Sequence, residues 1–410
     1  MEGHSVLCPE DMIVMTDKKD ERNKRAGVYT EQPAGYRAFV PRALPPDPKV
    51  ELDYEMADLL SKANRSLGRL DGSTDILPNP DLFVAMYVRK EAIISSQIEG
   101  TQASLEDVLA WEVVSRRRRP SFDVTEVVNH VRAMDQGVER LKTSAIGSEL
   151  LRELHILLMD GVRGKEKSPG LFRQVQNWIG SPGSTIHTAT FVPPPPVEVE
   201  RAMADLEAYI RGFTSMPLLI KCGLVHAQFE TIHPFLDGNG RLGRLLVTLL
   251  LCKHEVLARP LLYLSAYFKQ NRDEYYSLLQ KVRDTGDWES WLKFFLTGIW
   301  LVSEEAFDTA RQIIAMREQH RKLVLEQAHS STKALLLLDH LFEEPMAEIN
   351  DVAQLLDITY PAASNLVTEL GELDLLRETT GQQRNRRFVY EPYLALLRRG
   401  TELEFETILD

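Results

Sequence analysis

The chain has 410 residues, with 60 Asp and Glu against 48 Lys and Arg and a formal net charge of −12. That balance argues against non-specific binding to nucleic acid or anionic membrane. A content of 44% hydrophobic and 26% charged residues is that of a soluble globular protein of two or three domains. There is no apolar signal region, no apolar run near the ~18 residues of a membrane span, and only an odd three cysteines (Cys8, Cys222, Cys252), so a reducing cytoplasm is expected.

Residues 1–30 are polar and charge-rich around Asp17 to Arg22, which predicts a disordered leader. The stretch Tyr36–Pro48 carries four prolines and is expected to lie extended over the domain as a strap without hydrogen-bonded pairing of its own. A helical region over 31–140 follows. Met56, Leu59, Leu60, Ala63 and Leu67 repeat at helical spacing, and Asn79-Pro80-Asp81 opens a second helix that runs to about Glu99. Gly100 suits a left-handed cap, and Ser104-Leu105-Glu106-Asp107 restarts the chain as a capping box.

Glu99 breaks a local rule, because a carboxylate in the last turn faces the negative end of the helix dipole. Residue chemistry leaves two readings, a solvated terminal glutamate or a group whose cationic partner lies elsewhere; Ser95 shares its face. The arginine run Arg116–Arg119 before Pro120 reads as cations closing a helix C-terminus.

Residues 141–325 are expected to form the core. Helices at Ser148–Arg163 and Pro196–Phe213 flank an irregular stretch in which Ile186–Val192 has strand character. A short hairpin is predicted there before Pro193–Pro196, with an edge that suits an extended peptide. Helix Leu218–Ile232 delivers His233, and Leu242–His254, apolar nearly all round, is expected to be the central buried helix. His187, His226 and His254 have no metal-ligand spacing and read as core or surface residues.

Over 330–395 the pattern changes to helix, Asn350-capped helix, turn, helix Pro361–Leu370 and a hairpin with its tip at Gly381–Asn385, the order of a winged helix-turn-helix, with 396–410 as a tail. From 332 to 410 there are 7 Lys and Arg against 15 Asp and Glu, a balance of −8, and the would-be recognition helix has neither Lys nor Arg. Phosphate contacts dominate nucleic-acid affinity, so a structural or protein-binding role is expected over DNA binding.

The most informative stretch is His233-Pro234-Phe235-Leu236-Asp237-Gly238-Asn239-Gly240-Arg241-Leu242-Gly243-Arg244. A base and a carboxylate precede a Gly-Asn-Gly turn that opens a helix, whose free N–H groups form an anion site. Arg241 and Arg244, three apart, share a face and can fork onto phosphate, while Asp237 beside a polyphosphate suggests Mg2+ and His233 a general base.

This stretch resembles the signature of the Fic (Fic/Doc) family, matching H-P-F-x-[DE]-G-N-G-R-x-x-R at every specified position. The resemblance implies an all-α, mainly helical Fic fold with a short β-hairpin flap, joined here to the C-terminal winged helix. It implies AMP transfer from ATP to a Ser, Thr or Tyr hydroxyl of a protein. His233 would deprotonate the target hydroxyl, and Asp237 would hold Mg2+. Gly238, Asn239, Gly240, Arg241, Leu242, Gly243 and Arg244 would hold the nucleotide. Asn271 matches by position an Asn of the nucleotide pocket, with a looser match of Tyr275 and Tyr276 to the adenine site. Ile186, Thr190 and Phe191 would be the target-binding flap.

Ser95-Ser96-Gln97-Ile98-Glu99-Gly100 fits the family's inhibitory motif [ST]-x-x-x-E-[GN], in which the glutamate pairs with the second signature arginine, here Arg244, and blocks the ATP γ-phosphate. Removal of AMP by the same site and a homodimer are further implications. The alternative from another class is a DNA-binding regulator with a nucleotide-sensing Fic core. The intact His233 and Asp237 and the acidic C-terminal region count against it.

Overall fold

The computed structural model describes residues 23–74, 80–114, 121–162, 167–329, 331–382 and 386–399. The leader through residue 22, the arginine run at 116–119, Asn79, Arg163, Lys165, the hairpin tip at 383–385 and the tail beyond 399 lie outside these residues. In chain order the elements are β1 (Gly27–Glu31), β2 (Arg37–Pro41), α1 (Tyr54–Thr74), α2 (Pro80–Ile98), α3 (Leu105–Val114), α4 (Phe122–Leu141), α5 (Ser148–Leu158), α6 (Pro196–Arg211), α7 (Leu218–Ile232) and α8 (Asn239–Lys253). They continue with α9 (Ser265–Gln270), α10 (Arg272–Thr285), α11 (Trp288–Gln327), α12 (Ser331–Leu341), β3 (Met346–Glu348), α13 (Ile349–Leu356), α14 (Tyr360–Glu372), β4 (Leu376–Glu378), β5 (Arg387–Tyr390) and α15 (Glu391–Arg398). The fold is mainly helical, as expected.

The compact units interleave along the chain instead of following one another as consecutive segments. One comprises residues 1–65, 132–256 and 267–301; the other comprises 66–131, 257–266 and 302–410.

The first unit is built on α7 and α8. Every residue from Leu219 to Ile232 is buried, as is every residue from Arg241 to Leu251. The all-round apolar pattern of α8 therefore does mark a central helix, and each fully buried Leu contributes about 1.5–3 kcal/mol relative to exposure. Trp291 of α11 fastens to α7 by donating its Nε1–H to Gly223 O at 2.8 Å. The helices approach closely at Gly243, where a Cβ would stand 2.3 Å from Glu230 Oε1 and 3.1 Å from the Phe229 ring.

The N-terminal expectations need correction. Residues 27–31 are not part of a disordered leader: they pair antiparallel with 37–41, from Gly27↔Pro41 to Glu31↔Arg37. The proline-bearing strap therefore does carry paired backbone at its start. The pairing is held by contacts distant in sequence: Phe39 donates its N–H to Val192 O at 3.0 Å, and the Tyr29 hydroxyl bonds Asp284 at 2.7 Å. Arg25, 2% exposed, donates to Gly286 O at 2.6 Å and pairs with Glu289.

In the second unit the sequence's capping box is realised reciprocally: Asp107 N–H reaches Ser104 Oγ (3.2 Å) and Ser104 N–H reaches Asp107 Oδ2 (3.0 Å). Helix α2 ends at Ile98, with Gly100 in the left-handed region at φ +96°. Arg69 Nη1 donates to both carboxylate oxygens of Glu304, at 2.9 and 2.8 Å. Strands β3, β5 and β4 form an antiparallel sheet in that order, and with α12, α13 and α14 give a helix–strand–helix–helix–strand–strand succession over 331–390. Its core is Leu337, Leu338, Val352, Leu366, Leu370 and Tyr390. Asn350 is not the cap expected of it; α13 begins two residues earlier than that cap would place it, at Ile349, with Glu348 in the N-cap position.

Candidate active site

The end of α7 and the start of α8 hold every signature residue, and all of them lie in the first unit. Helix α7 stops at His233, whose backbone is left-handed (φ 48°, ψ 60°) while its N–H still bonds Phe229 O at 2.9 Å. A non-glycine residue in that region costs roughly 1–2 kcal/mol, so the surroundings must hold it there. Five residues on, Gly238 (φ 73°) is the N-cap of α8, and a Cβ there would meet Met159 Sδ at 3.1 Å. Leu242 N–H makes the first bond of the helix, to Gly238 O at 3.1 Å. The N–H groups of Asn239, Gly240 and Arg241 thus precede the internal ladder, at the positive end of the dipole.

The turn is stitched from within. Asn239, 1% exposed, accepts the Phe235 N–H with Oδ1 and donates Nδ2 to the Phe235 carbonyl, both at 2.9 Å. Its side chain shapes the loop and is spent in doing so. His155, which the sequence reading passed over, supports the turn from α5. Gly170 N–H donates to its Nδ1 (2.8 Å), so the proton resides on Nε2, which donates to Asp237 O (2.9 Å). Its ring stacks on Phe235 at 3.8 Å, and burial pushes its pKa down to about 4. The available signal was weak: one histidine on the inward face of an amphipathic helix.

Asp237 is the accessible carboxylate. Its Oδ2 pairs with Lys167 Nζ at 2.9 Å and its Oδ1 accepts Gly238 N–H at 2.7 Å. Burial raises its pKa, but Lys167, the Gly238 N–H and the Arg241 charge together outweigh that and hold it below the usual carboxylate range. One ionised carboxylate with part of its surface in solvent fits the hard, oxygen-ligated coordination of Mg2+. Among the described residues no group of three or more His, Cys, Asp or Glu side chains is placed to hold a metal ion, so phosphate and water would supply the other ligands.

Arg241 and Arg244 are 4% and 3% exposed. Arg241 Nη2 lies 3.7 Å from Met159 Sδ, and the Arg244 charge, after burial, helps depress His226 to about 3. His226 is a core histidine, as read: Nδ1 donates to Gly243 O (3.0 Å) and Nε2 accepts from the Tyr275 hydroxyl (2.9 Å). It ties α7, α8 and α10 together. Tyr275 is therefore buried and committed, whereas Tyr276 is 38% exposed with Arg272 over its ring. Asn271 sits at the N-cap of α10 and donates to Tyr267 O. Leu242 and Gly243 serve packing: Leu242 is fully buried, and Gly243 leaves room for Glu230.

The flap differs from the expected hairpin. A single bridge pairs Ile179 with Phe191, through N···O distances of 2.8 and 3.0 Å, and 180–190 is a turn-rich loop closed by Trp178 Nε1 on Ser184 O. Three small residues and Pro182 at 180–183 favour turns over a ladder. Ile186 is half-buried and Thr190 exposed. Phe191 is 2% exposed, with Arg283 3.7 Å above its ring, so it anchors the loop's base and offers no surface to a target. Ser95 is fully buried within α2, and Glu99 is exposed in the turn after it; both belong to the second unit. A concavity of about 860 Å³ lies between α5 and α6 around Arg152, Phe172 and Glu200, and no signature-loop residue lines it.

These features define a helical domain organised on an HPFxDGNGRxxR loop. Residues 57–139 match the Fic/DOC family N-terminal region and residues 145–251 the Fic/DOC family. The two family regions thus lie side by side over residues 57–251. The chain is 25% identical over 205 residues to a probable protein adenylyltransferase of Aquifex aeolicus, covering 49% of this chain and 57% of that one. It is 26% identical over 241 residues to the protein adenylyltransferase Fic of Culex quinquefasciatus, covering 55% and 44%. The matches thus span about half the length of these curated relatives. A Fic family protein from Desulfovibrio desulfuricans shares the fold at a TM-score of 0.53 and 22% identity, over 83% of this chain and 97% of that one. Among the described residues no helix is long and apolar enough to cross a membrane.

Proposed function

We propose that the chain is a protein adenylyltransferase that moves AMP from ATP to a hydroxyl of a target protein and of itself. The observation that carries this reading is the loop geometry. His233 stands at a strained left-handed helix end, and the next helix opens at Gly238 with its first-turn N–H groups at the positive end of the dipole and with Arg241 and Arg244 on its first turns. The target oxygen attacks the α-phosphorus as His233 takes its proton, the P–O bond to the β-phosphate breaks, and pyrophosphate leaves. Asn239 and Gly240 present backbone N–H groups to phosphate, Gly238, whose N–H is taken by Asp237 Oδ1, makes the turn that aims them, and Arg241 and Arg244 neutralise the outer phosphates, with positioning and charge stabilisation supplying most of the acceleration. Mg2+ held by Asp237 would neutralise charge on the phosphate chain. Leu242 and Gly243 contribute by setting the helix in place, Asn271 borders the nucleotide, and the loop with Ile186 and Thr190 receives the target.

The inhibitory reading of Ser95 and Glu99 rests on the sequence motif. Glu99 would compete with the γ-phosphate for Arg244, and a pairing of copies would bear on its release. The sheet-bearing segment 331–390 has the element order of a winged helix, and its acidity favours a protein partner. AMP removal at the same site would use the same residues.

The test is full-length protein with labelled ATP. Glu99→Gly is expected to raise self-modification, and Glu99→Gly with His233→Ala to abolish it. Unchanged nucleotide binding and modification in Glu99→Gly would refute the inhibitory role, and absence of label in every variant would refute the transferase.

A further inference from the structure

Helix ends leave their last carbonyls without internal partners, and proline segments have no N–H to offer. Both problems meet beside His233. The helix α7 carbonyls end at Ile232 and His233, and the strap Pro193–Pro196, which follows the flap base at Phe191, presents only acceptors. One short irregular segment, Arg173-Gln174-Val175-Gln176-Asn177, supplies donors to both. Arg173 Nε donates to His233 O at 2.9 Å, its Nη2 to Ile232 O at 3.3 Å and to Pro194 O at 2.6 Å, and its backbone N–H to Pro234 O at 2.9 Å. Gln176 Nε2 donates to Pro193 O at 2.9 Å, and Asn177 Nδ2 to Phe235 O at 3.2 Å.

We infer that Arg173, aided by Gln176 and Asn177, is a positioning residue that locks the left-handed backbone of His233 and couples it to the flap strap. The inference rests on the transferase reading for what His233 does, and on geometry alone for what holds His233. Arg173 is 3% exposed; burial pushes its pKa down to about 10, which leaves it charged near neutrality. A cation there also sits well against the C-terminal dipole of α7. Since one guanidinium bonds carbonyls on both sides, a shift of the flap base moves the carbonyl of the base residue with it. The chemical consequence is that target engagement at 180–190 is felt at the imidazole without any contact between them.

The test uses full-length protein labelled on histidine rings, with the His233 signal assigned by its loss in His233→Gln. In Arg173→Ala the His233 ring signal is expected to shift or split while those of His155 and His226 stay in place. Arg173→Lys should restore a single signal in part, and Gln176→Leu should give a smaller shift. In a Glu99→Gly background, transfer should fall about 10- to 100-fold in Arg173→Ala, the scale of a misplaced reacting group, with affinity for a fluorescent ATP analogue unchanged. An unmoved His233 signal in folded Arg173→Ala overturns the inference. So does a collapse of all histidine signals in both Arg173→Lys and Gln176→Leu, which would make the segment a plain requirement for folding. If no variant transfers AMP, the transferase reading fails while the ring signal still decides the positioning role.

Discussion

Two helix–turn–helix corners in this protein share a backbone device and differ in everything charged. Helix α7 ends at His233 with φ 48° and ψ 60°; helix α13 ends at Asp357 with φ 49° and ψ 59°. Each corner is a non-glycine residue in the left-handed region followed by a helix, and aspartate accepts that region more readily than most residues. After His233 come a carboxylate, two buried arginines and carbonyls clamped by Arg173. After Asp357 comes α14, which buries Ala363, Leu366, Val367 and Leu370 and carries no Lys or Arg. Backbone strain alone thus marks a corner, while strain with buried cations at the next helix start marks a site.

That contrast breaks most sharply by mutation. His233→Ala should reduce self-modification by about 10²–10⁴-fold, the usual contribution of a general base, while Asp357→Ala leaves it within twofold. Equal losses in labelling assays would erase the distinction.

The acid response should also separate the regions. His155 and His226 are held neutral by burial, at about 4 and about 3, below the ordinary 6.5. A histidine whose folded pKa is depressed stabilises fully above its unfolded pKa and loses that stability as pH falls toward the folded value. Between about pH 6.5 and 4 each should remove up to about 3 kcal/mol, by about 1.4 kcal/mol per pH unit. Hydrogen exchange at pH 7 and pH 4.5 is expected to show α7 and α8 losing protection, with α13 and α14 less affected.

Gly243→Val sharpens the packing half of the contrast. Its Cβ would collide with Glu230, so thermal unfolding should report a loss of about 1–3 kcal/mol, the range for overpacking. The smallest effect is Asp357→Gly, which relieves the left-handed strain and should alter stability by no more than about 1 kcal/mol in urea titration, with labelling intact. His233→Gly relieves the same strain and still loses activity, so the pair separates stability from chemistry.

What the sequence disclosed followed its range of interaction. The signature loop was legible because its twelve residues are contiguous, and α8 was legible because apolar residues on every face require burial on every face. The capping box at Ser104 was legible because it closes over three residues. The N-terminal hairpin was missed because its partners, Val192 and Asp284, lie more than 150 residues downstream. The burial of Phe191 was not legible because strand-like composition does not say which face is covered, and Arg283 covers it. Arg173 escaped notice in a segment without periodicity. Four consecutive prolines nearby were the overlooked clue, since a strap that cannot donate must recruit side chains that can.

The pinning of Arg25 sets where this chain can be cut. Trimming at residue 31, the boundary that composition suggests, would remove a paired strand and leave the Glu289 carboxylate without its guanidinium. A minimal fragment or a fusion junction should therefore retain Arg25 and both paired strands, and a fragment that starts at residue 31 should unfold at a lower temperature than the full chain.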